Sequence, residues 1–115
     1  MKLKKISAAC ALAAASMFGA GAQAQVSGDV IRIGFITDMA GLYADIDGPA
    51  GAEAIKMAIA DLGGAVNGKK IEVLVADHQN KADVAAAKAR EWFDQQGLDV
   101  LIGGSNSGTA WRWPR

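Results

Sequence analysis

The stretch Ile31-Arg-Ile-Gly-Phe-Ile-Thr-Asp-Met-Ala-Gly-Leu-Tyr-Ala-Asp-Ile-Asp-Gly-Pro-Ala-Gly-Ala-Glu-Ala-Ile-Lys-Met-Ala58 carries the fold class. It begins within a near-continuous apolar run, Val30 to Ile36, interrupted by Arg32 and Gly34. That is the composition of a strand covered on both faces. Gly41 to Pro49 reads as loop, and Pro49 suits the first turn of a helix. Ile55, Ile59 and Leu62 then recur at i, i+4 and i+7, with Met57 and Ala58 widening the apolar stripe of an amphipathic helix. This order puts a Gly- and Asp-rich loop at the carboxyl end of a strand, where open α/β sheets bind small ligands.

The pattern continues downstream. Gly63-Gly64 stops the helix, and Asn67-Gly68 makes a turn. Ile71, Val73 and Val75 alternate with Glu72 and Leu74 in a second strand ending at Ala76-Asp77, and Asp77 to Lys81 is a second loop. Ala82 to Gln96 has helical composition, with Ala85, Ala89, Trp92 and Phe93 on one face and Gly97 closing it. Leu98 to Ile102 is a third strand and Gly103 to Thr109 a third loop. The order β-α-β-α-β with helix-length crossovers predicts an α/β three-layer sandwich on a parallel sheet of three strands.

The amino terminus reads as an export signal. Lys2, Lys4 and Lys5 form a positive region, Ile6 to Phe18 an apolar alanine-rich run, and Ala22-Gln23-Ala24 a small-x-small motif with cleavage expected after Ala24. The apolar run falls short of the roughly 20 residues that span a bilayer, so no membrane anchor is expected. Cys10, the only cysteine, lies before most of that run rather than after it, which argues against a lipid-bearing role. The mature chain then has no thiol and no disulfide. Nine basic residues against twelve acidic ones give it a net charge of −3. No basic run follows the signal, which argues against nucleic acid and anionic lipid as partners.

In a parallel sheet the three strand-end loops share one side: Thr37 to Asp47, Asp77 to Lys81 and Gly103 to Thr109. The third reads Gly-Gly-Ser-Asn-Ser-Gly-Thr and leads towards a helix. Small residues let the backbone approach a ligand, free amides at a helix start suit a carboxylate, and Ser105, Ser107 and Thr109 add hydroxyls. The same spacing also serves an ordinary βα turn capped by Ser and Thr. Asp38, Asp45 and Asp47 imitate a calcium loop, but the downstream Glu and the full ligand spacing are missing, so no metal is expected. His78 beside Asp77 imitates a base and its orienter, yet no nucleophile elbow and no cysteine accompany it. A polar loop placing Asn80 or Lys81 near a helix start is the preferred reading. The Gly-rich loop lacks both phosphate-binding patterns. An enzyme would thus rest on the sheet alone, which does not imply function, and neither catalytic residue nor cofactor is expected.

Three segments carry a family resemblance: Thr37-Asp38-Met39-Ala40-Gly41-Leu42-Tyr43-Ala44-Asp45, Asp77-His78-Gln79-Asn80-Lys81-Ala82-Asp83 and the Gly-Gly-Ser-Asn-Ser-Gly-Thr loop. Together they make the chain resemble the type I periplasmic solute-binding proteins of ABC importers, in the branched-chain amino acid (leucine-binding) group, over roughly Val30 to Ala110. The resemblance implies a Venus-flytrap fold: two α/β lobes joined by hinge strands, closing on a ligand. This chain would hold about the first half of lobe one and would be a truncated, non-functional product, expected neither to bind solute tightly nor to dock productively on a permease. The resemblance further implies that the third loop takes the ligand's carboxylate. Ser107 is the best-matched position, with Asn106 and Thr109 looser matches and Ser105 beside them. Tyr43 either covers an apolar or aromatic ligand side chain, its hydroxyl still reaching a partner, or packs locally over the helix start. Ala40 stands where Ser is common, so one hydroxyl is missing. The implied function is capture of an amino acid or small carboxylate in the periplasm for a membrane permease, without covalent chemistry. The alternative is a ligand-sensing regulator of the same fold, responsive to amides or amino acids. An export signal with no later membrane span favours transport.

The expected organisation is a signal peptide over 1–24, a partial amino-terminal lobe over 25–110 and an aberrant tail over 111–115. That tail, Trp111-Arg-Trp-Pro-Arg115, holds two of the three tryptophans where the resemblance calls for an apolar helix. Its codons allow TGG CGG TGG CCN, and one added base turns them into NTG GCG GTG GCC, for Leu (or Met or Val)-Ala-Val-Ala. Resequencing the gene across the codons for Ser107 to Arg115 is therefore expected to recover that extra base and an open frame encoding a second lobe. An unchanged frame with no lobe downstream rejects the frameshift.

Overall fold

Val30–Thr37 forms β1, the strand around which the other elements are arranged. The structure, a computed structural model, describes residues 26, 28–103 and 105–110. The expected signal peptide with Cys10 and the tail 111–115 lie outside the described residues. β1 pairs in parallel with β3 (Lys69–Asp77) from Val30↔Lys70 to Thr37↔Asp77. It pairs in parallel with β4 (Val100–Gly103) from Ile33↔Val100 to Ile36↔Gly103. A short β2 (Ala65–Val66) adds antiparallel to β3, so the sheet order is β2-β3-β1-β4. Among the described residues the sheet thus has four strands instead of the expected three. The extra one is the first arm of a hairpin turned by Asn67 and Gly68, with φ of 50° and 78°. Two left-handed residues make the hairpin turn that Asn-Gly favours.

Helices cover both faces. Gly34 and Phe35 are neighbours on β1, so they point to opposite sides of the sheet. On the Phe35 side lies α2 (Pro49–Asp61), preceded by the single turn α1 (Ala44–Asp47). A Cβ on Gly51 would stand 3.0 Å from the Phe35 ring, which shows how closely α2 seats. On the Gly34 side lies α3 (Ala82–Gln95), whose Ala85, Ala89 and Trp92 join Ile36 and Leu98 in the main core, with Leu74, Ala76 and Leu101 packed against it. A final turn, α4 (Ser107–Ala110), follows β4. None of the helices among the described residues is long and apolar enough to cross a membrane.

The helix ends follow from their glycines. Gly63 donates to the Ala60 carbonyl and Gly64 to the Ile59 carbonyl, both at 2.9 Å, with Gly63 at φ 78°. Those two bonds are the Schellman termination. Gly97, at φ 62°, ends α3 and lets the Leu98 amide return to the Trp92 carbonyl at 3.1 Å. Leu98 is thereby drawn into the core, and β4 starts at Val100, two residues later than expected.

The apolar stripes are narrower than the sequence suggests. In α2 only Ala52 is buried, while Met57 and Leu62 are 67% and 65% exposed. At about 100° per residue Met57 lies about 140° around the helix from Ala52, and Leu62 caps the helix beyond its last turn. In α3 Phe93, about 80° from the Ala85 direction, is left 39% exposed, and the small Ala86 is buried on that flank.

The tightest contact is between α3 and β1. A Cβ on Gly34 would meet the Trp92 ring at 2.6 Å and Leu98 at 3.0 Å. Overpacking of this kind costs about 1–3 kcal/mol. Urea denaturation of Gly34→Ala is expected to show a loss of that size, whereas Gly28→Ala, where an added Cβ has nothing within 4 Å, stays within about 0.5 kcal/mol of the parent.

Candidate functional site

Each of the three parallel strands ends in a loop on one side of the sheet, and these loops are built from buried or internally bonded polar residues. The first leaves β1 through Thr37 and Asp38, both buried. Asp38 Oδ1 accepts the Gly41 amide at 2.9 Å and Oδ2 the Tyr43 amide at 3.0 Å. This capture bends the chain so that the segment expected to be loop contains the turn α1, for which Tyr43 is the N-cap residue. The Tyr43 amide holds the Asp38 carboxyl below the ordinary carboxylate range, helped by the Gly41 and Ala40 amides and opposed by burial.

Asp47, at the end of α1, ties the first loop to the third. Its Oδ1 accepts the Thr37 hydroxyl at 2.9 Å and the Ser105 hydroxyl at 3.1 Å, and its Oδ2 accepts the Ser105 amide at 2.8 Å. The carboxylates of Asp38 and Asp47 are thus engaged by backbone and hydroxyl donors. Among the described residues no group of three or more His, Cys, Asp or Glu side chains is arranged to hold a metal ion.

In the second loop Asp77 Oδ1 accepts the Met39 and Gln79 amides at 3.2 and 2.8 Å. The carboxylate therefore braces loops one and two. His78 is 1% exposed. Its amide continues the ladder to the Thr37 carbonyl at 2.8 Å, its carbonyl accepts the Lys81 amide at 2.8 Å, and its Nδ1 accepts the Asn80 amide at 2.9 Å. Between them Gln79 and Asn80 both adopt left-handed φ, 50° and 57°. Lys81 is the N-cap residue of α3, in keeping with a polar loop at a helix start.

The third loop enters α4. Asn106 Oδ1 accepts the Gly108 amide at 2.8 Å, and its Nδ2 donates to Asn80 Oδ1. Thr109 is buried, and its hydroxyl donates to the Asn106 carbonyl at 2.7 Å while standing 3.4 Å from His78 Nε2. The structure therefore divides the five sequence-derived site residues. Ser105, Asn106 and Thr109 make internal bonds that shape the loop, Ser105 while still exposed, and Ser107 is exposed at the start of α4. Tyr43 is half-buried on the first loop, between Leu42 at 80% exposure and, three residues on, Ile46 at 66%. Sequence reasoning missed Asp47 and His78 as loop-to-loop ties. Neither has a local signature beyond being a polar residue at a strand end.

A mostly parallel, helix-covered sheet with its polar loops gathered at the strand ends defines an open α/β architecture, a class in which strand-end loops commonly hold small ligands. The family model described as periplasmic binding protein matches residues 30–113, and the chain belongs to that family. A periplasmic binding protein from Burkholderia mallei is 73% identical over 71% of this chain and 22% of its own, with a TM-score of 0.70. A branched-chain amino acid ABC transporter periplasmic ligand-binding protein from Burkholderia xenovorans is 44% identical over 70% of this chain and 21% of its own, with a TM-score of 0.66. An ABC-transporter solute-binding protein from Rhodopseudomonas palustris, solved with 3,4-dihydroxybenzoic acid, is 31% identical over 72% of this chain and 23% of its own, with a TM-score of 0.67. The chain thus spans between 21 and 23% of the length of these proteins. No curated protein matches it.

The Asp38 cap has a consequence for acid stability. A carboxyl whose pKa is lower folded than unfolded stabilises the fold above its unfolded value, about 3.9. That contribution fades as pH falls through the folded value. Denaturation of the parent is expected to show stability falling below about pH 4. Asp38→Asn should be less stable at pH 7 and lose less on acidification, and equal acid slopes in the two proteins would contradict the cap.

Proposed function

We propose that the gene product is the substrate-binding component of an ABC importer, capturing an amino acid or small carboxylate in the periplasm and handing it to a membrane permease. Family membership supports the class, and the bound or named ligands of the solved relatives support the chemistry. The observation that carries the reading for this chain is the third loop. It is tied on one side by Asp47 and on the other by Asn80 and His78, and it presents the exposed Ser107 at the strand ends.

The chemistry follows from what faces outward. Ser107 offers a hydroxyl to a carboxylate, and exposed Leu42 and Ile46, with Tyr43, offer an apolar surface to the rest of a ligand. Asn106, Thr109 and Ser105 hold the loop's shape. No bond-making group is needed for capture, and Asp77, spent on the Met39 and Gln79 amides, does not supply one with His78. In this reading 1–24 directs export with cleavage after Ala24, 25–110 is part of the first lobe, and closure by a second lobe supplies tight binding.

The test is an NMR titration of the 15N-labelled chain with 3,4-dihydroxybenzoate and, separately, L-isoleucine, up to millimolar concentration. Amides of Asn106 to Ala110 and of Leu42 to Ile46 are expected to shift with at least one of them. Affinity should be weak, roughly millimolar, and Ser107→Ala should reduce it about fivefold, as loss of one hydrogen bond does. Saturating ligand with no shift in either loop rejects the reading.

A further inference from the structure

We propose that His78 is a positioning residue. Through Nε2 and Thr109 it fixes where the third loop stands, and so holds Ser107 for a ligand. The second part of that statement rests on the binding role proposed above, whereas the tie itself does not.

The hydrogen-bond logic leaves one protonation pattern. His78 is buried, so both ring nitrogens need partners inside the protein. Nδ1 accepts the Asn80 amide at 2.9 Å and therefore carries no proton. The Thr109 hydroxyl gives its only proton to the Asn106 carbonyl at 2.7 Å, so it faces Nε2 as an acceptor at 3.4 Å. Nε2 must then carry the hydrogen. The neutral Nε2–H form satisfies every donor and acceptor in the chain from the Asn80 amide to Asn106.

The tie acts where it affects the site. Thr109 and Ala110 amides both donate to the Asn106 carbonyl at 3.2 Å, closing the turn that begins with Ser107. His78 grips this turn from beneath, and the Asn106 to Asn80 side-chain bond grips it from the second loop's tip. The second bond springs from Asn80 in the left-handed pair Gln79-Asn80 and the first from His78 immediately before it, and non-glycine residues hold that backbone conformation only under constraint. Loop two thus behaves as a bracket for loop three.

Two substitutions in the full chain separate the two ends of the imidazole. His78→Asn keeps an oxygen for the Asn80 amide, as an Asx turn does, but is too short for Thr109. His78→Gln carries a terminal amide that reaches about as far as Nε2. Amide exchange at Thr109 and Ala110 is expected to rise about tenfold in His78→Asn, the loss of one buried hydrogen bond. In His78→Gln it should return to within about threefold of the parent. Thr109→Val should match His78→Asn, and Thr109→Ser should match the parent. Nitrogen shifts of the parent should report the Nε2–H tautomer. An Nδ1–H tautomer, or equal exchange in both His78 variants, overturns the tie. If the parent binds 3,4-dihydroxybenzoate or L-isoleucine, His78→Asn should weaken it about tenfold, and unchanged affinity overturns the positioning role. If the parent binds neither, the binding role fails, and exchange and tautomer alone decide whether the tie exists.

Discussion

The indole of Trp92 against Gly34 is the contact on which the rest of the structure depends. β1 is the central strand, bonded on both sides, and a helix must cover each of its faces. A residue with any side chain at position 34 would hold α3 away from the sheet. With Gly34 there, the ring lies on bare backbone, and Ala85 and Ala89, both fully buried, keep the remainder of the helix equally close. A core of Trp92, Ile36, Leu98 and two alanines buries a modest apolar area, so precise seating matters more than size. The start of α3 follows directly on the second loop, and Leu98, just beyond its end, leads into β4. The same contact therefore sets the positions of loops two and three.

At the strand ends the structure trades hydrophobic contacts for hydrogen bonds. Asp38, Asp47 and Asp77 each accept at least two donors, most of them backbone amides. Bonds from amides to a carboxylate are charge-assisted and worth more than neutral ones. They also matter for ligand chemistry. Two unit charges 4 Å apart near a protein surface interact by about 4 kcal/mol, so an uncompensated Asp47 beside the third loop would repel a carboxylate. Thr37 and Ser105 turn three donors towards that charge and fix where it stands.

Much of the architecture was legible from residue patterns. β1 and β3 show the apolar runs of a covered strand, α2 and α3 show helical spacing, and Gly63-Gly64, Asn67-Gly68 and Gly97 stop or turn the chain where left-handed φ is needed. β2 escaped because two residues cannot show an alternation. The turn α1 escaped because it is made by the Asp38 side chain reaching forward, against an otherwise loop-like composition. Of the site, the loops were legible but their wiring was not. Ser105 meets Asp47 across 58 residues, and Thr109 meets His78 across 31. Contacts at such separations leave no periodicity to read. The reading ranked Ser107 first, with Asn106 and Thr109 as looser matches and Ser105 beside them, and a list of hydroxyls and amides does not say which ones also bond within the loops.

The left-handed pair Gln79-Asn80 shows why the loops should be treated as one unit. Non-glycine residues in sparsely populated backbone regions cost of order 1–3 kcal/mol each and persist only where their surroundings over-determine them. The Gln79 amide is taken by Asp77, the Asn80 amide by His78 and the Lys81 amide by the His78 carbonyl. Those bonds are local and would suit several turns. The bonds from Asn80 to Asn106 and from His78 to Thr109 are not local, and they exist only with the third loop in place. Strain in loop two is therefore offset partly by bonds to loop three, so neither can change conformation without releasing the other. Loops assembled this way owe their rigidity to bonds between residues far apart in sequence.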